Sequence, residues 1–141
     1  MTALALEDRF AVMDVMYRFY WLVDMGRAAE TAALFASDAR LTFGPGSPKP
    51  GTISGAAIAP AMAARQTQTD VTTRHALSNI QLEAQGDGSV AATSLLTLYR
   101  SNTPVLDTYP ASVADIIERF VREDGVWKIA ARDILPVFNK T

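Results

Sequence analysis

Residues 73–100 have the sequence TRHALSNIQLEAQGDGSVAATSLLTLYR and give the clearest indication of the architecture. The β-branched, aromatic and aliphatic residues within it predict long strands over residues 73–85 and 89–100. The segment Gly86-Asp87-Gly88 lies between them, and glycine adopts a positive φ at little cost, so a hairpin turn is expected there. The two strands are therefore predicted to pair antiparallel.

Two further strands are predicted downstream of this hairpin, over residues 112–122 and 126–135. They have the same character, and Asp124-Gly125 between them is typical of a tight hairpin turn. Residues 101–110 predict a looser connection. The second half is thus expected to be a run of four antiparallel strands.

The first third of the chain has a helical pattern. Phe10, Met13, Tyr17 and Tyr20 recur at three- and four-residue spacing, which places them on one face of a helix. Gly26 is expected to end this helix as a C-cap. The aromatic face is predicted to point into the core.

Shorter elements connect the two halves. They are expected, in order, as a helix over 28–35, a turn at Ser37-Asp38, a strand over 40–43, a Gly/Pro-rich loop over 44–51, a strand fragment over 52–53 and a helix over 55–66. Pro60 fits the last helix only within its first turn. Helices first and strands afterwards indicate an α+β fold, with the helices packed on one face of a bent, mixed and mostly antiparallel sheet.

Length and composition limit the class of protein. A chain of 141 residues, 49% of them hydrophobic, suits one domain over residues 1–141 whose core needs no disulfide. The absence of cysteine excludes thiolate metal sites and cysteine nucleophiles, and it suits a reducing cytoplasm. With 13 Lys+Arg, 15 Asp+Glu and no basic block, nucleic acid is not an expected partner. Neither a signal peptide nor a membrane span is expected, so the sequence predicts a cytoplasmic protein.

Asp24 is the first candidate functional residue. At 100° per residue it falls on the same helix face as Phe10, Met13, Tyr17 and Tyr20, so a carboxylate ends an apolar stripe. An ionised carboxylate is costly to bury unless a partner meets it. The alternative is that Asp24 lies in a frayed last turn, in solvent, and caps the chain after the helix.

His75, the single histidine, is the second candidate. In an extended strand it shares a face with Thr73, Leu77 and Asn79, so histidine and asparagine are predicted to line one side of the sheet. Histidine suits general acid/base work because it gains or loses a proton near neutral pH. The alternative is a half-buried histidine bonded to a backbone carbonyl. One histidine also makes a mononuclear metal site an unfavourable interpretation, and no cofactor is predicted.

Five pieces of sequence, taken in order, resemble one known family. They are Tyr20-x-x-x-Asp24-x-Gly26, Leu34-Phe35-Ala36-x-Asp38-Ala39, the Gly51–Gly55 loop, Thr73-Arg74-His75-x-x-x-Asn79 and Asp124-Gly125-x-Trp127-Lys128-Ile129. Together they span nearly the whole chain and resemble the nuclear-transport-factor-two-like superfamily, most closely its SnoaL-like and scytalone-dehydratase-like branch. The resemblance implies a cone-shaped domain, in which a long bent sheet wraps around the helices and encloses an apolar cavity.

The resemblance also implies roles for the two candidates. In scytalone dehydratases an aspartate near the end of the first helix pairs with a histidine on the first long strand, and the pair moves the proton in a syn elimination of water. Asp24 and His75 match these positions. The family's substrate-binding tyrosines fall at Val23 and Phe43, its second histidine near Arg100, and its asparagine near Asp115 or Ile116. These differences argue against scytalone itself as the substrate, and Gly44 stands where ketosteroid isomerases carry their catalytic aspartate.

Three classes of function stay open at this point. The first is a small-molecule lyase, isomerase or cyclase that acts on an apolar, carbonyl-bearing substrate, aromatic or polyketide-like, with Asp24 and His75 as catalytic residues. Residues expected to contact the substrate are Tyr20, Phe43, Asn79, Tyr99 and Ile116. The second is a noncatalytic ligand-binding protein, and the third an oligomerisation module resembling the small subunit of aromatic-ring dioxygenases.

A homodimer is the expected assembly. In a regular strand over residues 126–135 both faces carry apolar side chains, namely Val126, Ala130 and Ile134 on one and Trp127, Ile129, Ala131 and Leu135 on the other. A monomer would leave one stripe in water. The family resemblance supports the same assembly, so sheet-to-sheet pairing of two copies is predicted.

Overall fold

A computed structural model describes residues 3–102 and 109–140, in which helices pack against an open six-stranded sheet. In chain order the elements are α1 (Leu6–Asp24), a 3₁₀ helix (Ala28–Leu34), β1 (Phe35–Phe43), β2 (Gly51–Ser54), a 3₁₀ turn (Gly55–Ala57), α2 (Ile58–Gln66), β3 (Val71–Ala84), β4 (Val90–Asn102), β5 (Pro110–Glu123) and β6 (Val126–Asn139). Pro60 lies in the first turn of α2, where proline is tolerated.

The strands lie in the order β2-β1-β6-β5-β4-β3. Strands β3 to β6 form an antiparallel meander, β1 pairs with β2 antiparallel, and β1 joins β6 in parallel. The predicted fold class, α+β with a mixed and mostly antiparallel sheet, is confirmed. Of the predicted loose connection over 101–110, residues 103–108 lie outside the described residues.

The predicted turn at Ser37-Asp38 is wrong, because both residues lie within β1. The 3₁₀ helix before it ends at Leu34, and the strand already begins at Phe35. Ser37 meets a distant partner instead of capping a local turn: its backbone N–H and its hydroxyl both donate to the Glu123 carboxylate, at 3.0 and 3.1 Å. Tertiary hydrogen bonds thus hold a turn-forming residue in an irregular strand.

The predicted inward face of α1 is also wrong in part. Phe10 is 63% exposed and Tyr17 is 47% exposed. Tyr20 packs into the core as predicted, but the other buried residues lie on the neighbouring stripe: Val12, Val15, Met16, Phe19 and Val23. Both stripes of α1 are apolar, so the spacing of hydrophobic residues does not separate them. As a result Asp24 lies at the margin of the buried face, next to β3.

A bulge in β3 changes which residues face the core. Asn79 has a φ of +54°, and the pairing of β3 with β4 shifts register between Ser78 and Gln81. The alternation is regular up to Leu77 and then resumes with the opposite parity, so Ile80 and Leu82 pack against the core. Asn79 is exposed and does not share the face of His75.

A second bulge changes the faces of β6. The register with β5 shifts between Phe120, which pairs with Ile129, and Arg119, which pairs with Ala131. Trp127, Ile129 and Arg132 are therefore all buried, which a regular strand would not allow. Apolar side chains exposed on β5 and β6 are Ile117, Val126, Val137 and Phe138. The homodimer stays a prediction.

Candidate functional site

The end of α1 meets β3 at a carboxylate that accepts three hydrogen bonds. Asp24 is the last residue of α1, and its side chain is 6% exposed. Its Oδ1 accepts from the Thr73 hydroxyl at 2.8 Å, and its Oδ2 accepts from the backbone N–H of His75 at 2.7 Å. The third contact joins Oδ1 to His75 Nδ1 at 2.6 Å. Asp24 is therefore a tied, buried group and not a frayed helix end.

These contacts keep Asp24 ionised. Burial by itself raises the pKa of this carboxyl, but the hydrogen bonds from His75 and Thr73 and the charge interaction with His75 outweigh it. The net result is a pKa below the ordinary value of an aspartate. At neutral pH the group at the end of α1 is a carboxylate.

The imidazole of His75 is held on two sides. Because a carboxylate can only accept, His75 Nδ1 carries the hydrogen that it shares with Asp24. The ring also stacks on Tyr20, with centroids 5.1 Å apart and planes 26° apart. In the described part of the chain Nε2 has no hydrogen-bond partner, so this nitrogen is left for another molecule.

His75 and Tyr20 line an internal cavity of about 300 Å³. Its wall is mainly apolar and comes from α1, β1, β4 and β6; the residues include Phe19, Val23, Leu41, Phe43, Leu96 and Ile134. Asp24 does not line this cavity. It borders a more open groove between α1 and β3, which His75 and Tyr20 also border. The imidazole thus separates the carboxylate from the cavity.

Tyr20 lines the cavity and carries a buried hydroxyl. Its hydroxyl is buried and has no hydrogen-bond partner within the described residues. Burial, only partly countered by the positive charge of Arg132, raises the pKa of Tyr20 to about 12. The phenol is therefore neutral at physiological pH and has a hydrogen to donate.

The structure brings together some of the predicted site residues and not others. Tyr20, Phe43 and His75 line the cavity, with Asp24 bonded to His75. The other three predicted contacts, Asn79, Tyr99 and Ile116, lie away from it. Asn79 is turned outward by its bulge, Tyr99 is 38% exposed on the opposite face of β4 from Leu98, and Ile116 is fully buried in the core. The prediction that these three residues contact a substrate in the cavity is therefore wrong.

Three polar features of the site were missed from the sequence. Thr73 was detectable, since it lies two residues before His75 on the same strand face. Arg65 of α2 also lines the cavity, and Nη2 donates to the Thr73 hydroxyl at 3.1 Å. Arg132 and Glu118 form a buried ion pair beneath Tyr20. The one indication of this pair in the sequence was a charged residue on an otherwise apolar strand face.

Residues 3–102 and 109–140 contain neither a metal-binding cluster nor a membrane-spanning helix. Within those ranges no three or more His, Cys, Asp or Glu side chains are grouped so that they could hold a metal ion. No helix there is long and apolar enough to cross a membrane.

Comparison with known proteins shows the family. Among solved structures, a protein of Novosphingobium aromaticivorans that carries the provisional name scytalone dehydratase superposes with a TM-score of 0.79, at 20% identity over 96% of this chain and 87% of that one. ActVI-ORFA of Streptomyces coelicolor superposes with a TM-score of 0.78, at 19% identity over 93% of this chain and 98% of that one. A Nostoc punctiforme protein of unknown function, described as having a cystatin-like fold, gives a TM-score of 0.75, at 22% identity over 96% and 95% of the two chains.

At these identities the similarity to solved structures shows the fold alone. No curated protein matches the sequence. The model of the SnoaL-like domain, however, matches residues 4–133, which is most of the chain. The predicted resemblance is thereby confirmed, and the chain belongs to the SnoaL-like domain family.

Proposed function

We propose that the protein is a small-molecule enzyme in which His75, oriented by Asp24, moves a proton on a substrate held in the cavity. The observation that carries this proposal is the 2.6 Å contact between Asp24 and an imidazole that lines an apolar cavity. An oriented histidine with one free ring nitrogen is a general base when neutral and a general acid once it has gained a proton. The substrate class that suits the wall is an apolar molecule with a carbonyl group, aromatic or polyketide-like.

The chemistry begins with removal of a proton next to the substrate carbonyl. His75 Nε2 takes the proton, and the C–H electron pair forms an enolate whose charge rests on the carbonyl oxygen. The imidazolium that results lies against the Asp24 carboxylate, which stabilises its charge. In a lyase the enolate then re-forms the carbonyl and makes a C=C bond as a β-hydroxyl leaves, and His75 returns the proton to give water. In an isomerase the substrate has a β,γ C=C bond, so the enolate charge extends to the γ carbon; His75 returns the proton there, and the double bond moves to the α,β position as the carbonyl re-forms.

Tyr20 is proposed as the residue that holds the carbonyl oxygen. Tyr20 lines the cavity next to the His75 ring, and its buried, neutral hydroxyl is proposed to hydrogen-bond the carbonyl oxygen of a substrate bound beside His75. A hydrogen bond to this oxygen strengthens as the enolate forms, which accelerates the proton transfer. Phe43, where the family's dehydratases have a tyrosine, offers only apolar contact.

Exchange of carbon-bound protons tests this proposal without knowledge of the natural substrate. The ketone 2-tetralone is apolar, has two fused rings and carries acidic protons beside its carbonyl. In D₂O the wild-type protein is expected to replace these protons by deuterium faster than the buffer does, as followed by ¹H NMR. Exchange no faster than that with the His75→Ala variant would contradict the proposal.

The Tyr20→Phe variant separates binding of the carbonyl from stability. The wild-type hydroxyl is buried without a described protein partner, so its removal is expected to leave the free energy of unfolding unchanged or to raise it by up to about 1 kcal/mol. The exchange rate is expected to fall about ten- to a hundredfold, because the enolate loses a donor. Urea unfolding and NMR exchange measure the two effects, and an unchanged exchange rate would count against the assigned role.

A second candidate function is noncatalytic ligand binding. It is favoured by the bonds from the Thr73 hydroxyl and the His75 backbone N–H, which fasten α1 to β3 whether or not a proton is transferred. Under this alternative 2-tetralone binds in the cavity, shifting the NMR signals of Tyr20 and His75, but its protons do not exchange. The exchange experiment therefore distinguishes the two functions.

A further inference from the structure

Arg65 introduces a positive charge into a cavity wall that is otherwise mainly apolar. It lies in the last turn of α2, half-buried, and Nη2 donates to the Thr73 hydroxyl at 3.1 Å. A guanidinium has five N–H donors, and this is the one hydrogen bond that the Arg65 side chain makes to the described residues. The remaining donors are available to a ligand.

Arg100 places a second positive charge on the same side of the sheet. It lies directly opposite Thr73 in the β3–β4 register, and directly opposed residues of an antiparallel pair project to the same face. Burial and the charge of Arg100 together lower the pKa of Arg65. Within the described residues neither arginine forms an ion pair with a carboxylate.

Asp24 does not neutralise this pair of cations by direct contact. Its oxygens are occupied by Thr73 and by the backbone and ring of His75, and Arg65 reaches it only through the Thr73 hydroxyl. The inner face of β3 and β4 near α2 thus carries more positive than negative charge. An anion that enters the cavity would be attracted to this positively charged face.

From this geometry we infer that the substrate is a carboxylate, with its anionic group on Arg65 and its apolar body in the cavity. The inference rests on the proposed function, since it takes the cavity as the substrate site. The planar guanidinium fork matches a carboxylate and binds it through two parallel hydrogen bonds. A volume of about 300 Å³ suits a ligand of one or two rings. Arg65 is then the residue that selects charged over neutral ligands.

Arg65 has one competing role, as a positioning residue that acts on Asp24 through Thr73. That role predicts that Arg65→Gln and Thr73→Val have the same consequences, because either change breaks the chain of hydrogen bonds. The carboxylate inference predicts different consequences, because Thr73→Val leaves the guanidinium in place. Affinity for a matched pair of ligands therefore separates the two roles.

The test compares 2-naphthoate with 2-naphthamide, which have the same rings and differ in charge. Dissociation constants from calorimetry are expected to favour 2-naphthoate by roughly 10- to 100-fold in the wild-type protein, as a charge-assisted bidentate contact does. Arg65→Gln is expected to remove this preference while the affinity for 2-naphthamide is kept, which also shows that the variant is folded. Thr73→Val is expected to keep the preference, and so is Arg40→Gln, which removes an exposed arginine of β1.

Two further variants refine the result. Arg100→Gln is expected to lower the preference by a smaller factor than Arg65→Gln, since Arg100 is exposed and screened by solvent. Arg65→Lys keeps the charge but loses the planar fork, so an intermediate preference is expected, and this variant serves if Arg65→Gln does not fold.

Several results overturn the inference. The inference is wrong if the wild-type protein binds neither ligand or binds both equally. It is also wrong if the Arg65→Gln variant still prefers 2-naphthoate. Equal losses in Arg65→Gln and Thr73→Val assign Arg65 the positioning role instead. Because the readout is binding, it is independent of proton exchange: exchange without a charge preference overturns this inference alone, and a charge preference without exchange overturns the proposed function alone.

Discussion

Replacement of His75 by alanine is expected to lower the rate of 2-tetralone exchange by about 10²- to 10⁴-fold, the usual contribution of a positioned general base. The change removes the ring nitrogen that is left without a described partner and the ring that Tyr20 stacks on. It leaves the two hydrogen bonds from Thr73 and from the backbone at residue 75 to Asp24, so α1 stays fastened to β3. Circular dichroism of the variant is therefore expected to match the wild-type spectrum.

A matched variant tests whether Asp24 orients the base. Asp24→Asn keeps the shape of the side chain but removes the charge that stabilises the imidazolium, and its amide N–H₂ cannot accept from Nδ1 if it turns toward the ring. The exchange rate is expected to fall by a similar or somewhat smaller factor than in His75→Ala. The effects of the two changes are not expected to add, because both act on one pair. An additive double variant would show that the residues act separately.

The sequence predicted the parts of the fold that depend on local pattern and turn chemistry. Glycine in the two hairpin turns indicated where β3 ends and β4 begins, and where β5 ends and β6 begins. The other ends of these strands differ from the predicted ones by a few residues. The face of α1 could not be predicted, because Phe10 and Tyr17 form a stripe as apolar as the one that is buried. Which stripe packs inward depends on where the sheet lies relative to α1. The spacing of residues within the helix does not contain that information.

The candidate site likewise contains residues that the local pattern predicted and residues that it could not predict. Asp24 was predicted because a carboxylate at the end of an apolar helix needs a partner, and His75 because it alternates with Thr73 on one strand face; the structure joins them at 2.6 Å. Asn79 was misplaced because a bulge interrupts the alternation on which its prediction depended. Arg65 was missed because it reaches the cavity from α2 through a contact with Thr73 of the next strand, and the residue spacing within either element does not predict such a contact.

The buried ion pair beneath the site has the largest expected effect on stability. Arg132 is fully buried; Nε donates to Glu118 Oε2 at 2.7 Å, and Nη2 lies 2.6 Å from the same oxygen. Its guanidinium carbon also lies 3.9 Å from the centre of the Phe19 ring and 5.1 Å from that of Tyr20. Burial by itself would lower the pKa of Arg132, but the charge of Glu118, the electrostatic interaction with Tyr20 and the hydrogen bond to Glu118 together outweigh it and raise the pKa above its ordinary value. Arg132 therefore stays charged in the core.

Arg132→Met is expected to lower the free energy of unfolding by about 3–5 kcal/mol at pH 7, because it leaves the buried Glu118 carboxylate without its partner. Urea unfolding measures the loss, and stability within about 1 kcal/mol of the wild-type value would contradict the expectation. The double variant Arg132→Met/Glu118→Leu is the control. With both charges replaced by apolar groups, most or all of the stability is expected to return, since the cost of burying two ions is also removed.

The same double variant shows what the ion pair does for the site. Tyr20 packs on Arg132 on one side and on His75 on the other, so the guanidinium helps to fix the ring that is proposed to hold the substrate oxygen. If the pair positions Tyr20, the double variant regains stability but exchanges the protons of 2-tetralone more slowly than the wild-type protein, with the affinity for 2-naphthamide little changed. If stability and exchange return together, the pair acts only in folding, and the placement of Tyr20 depends on the stack with His75 and on the packing of α1 alone.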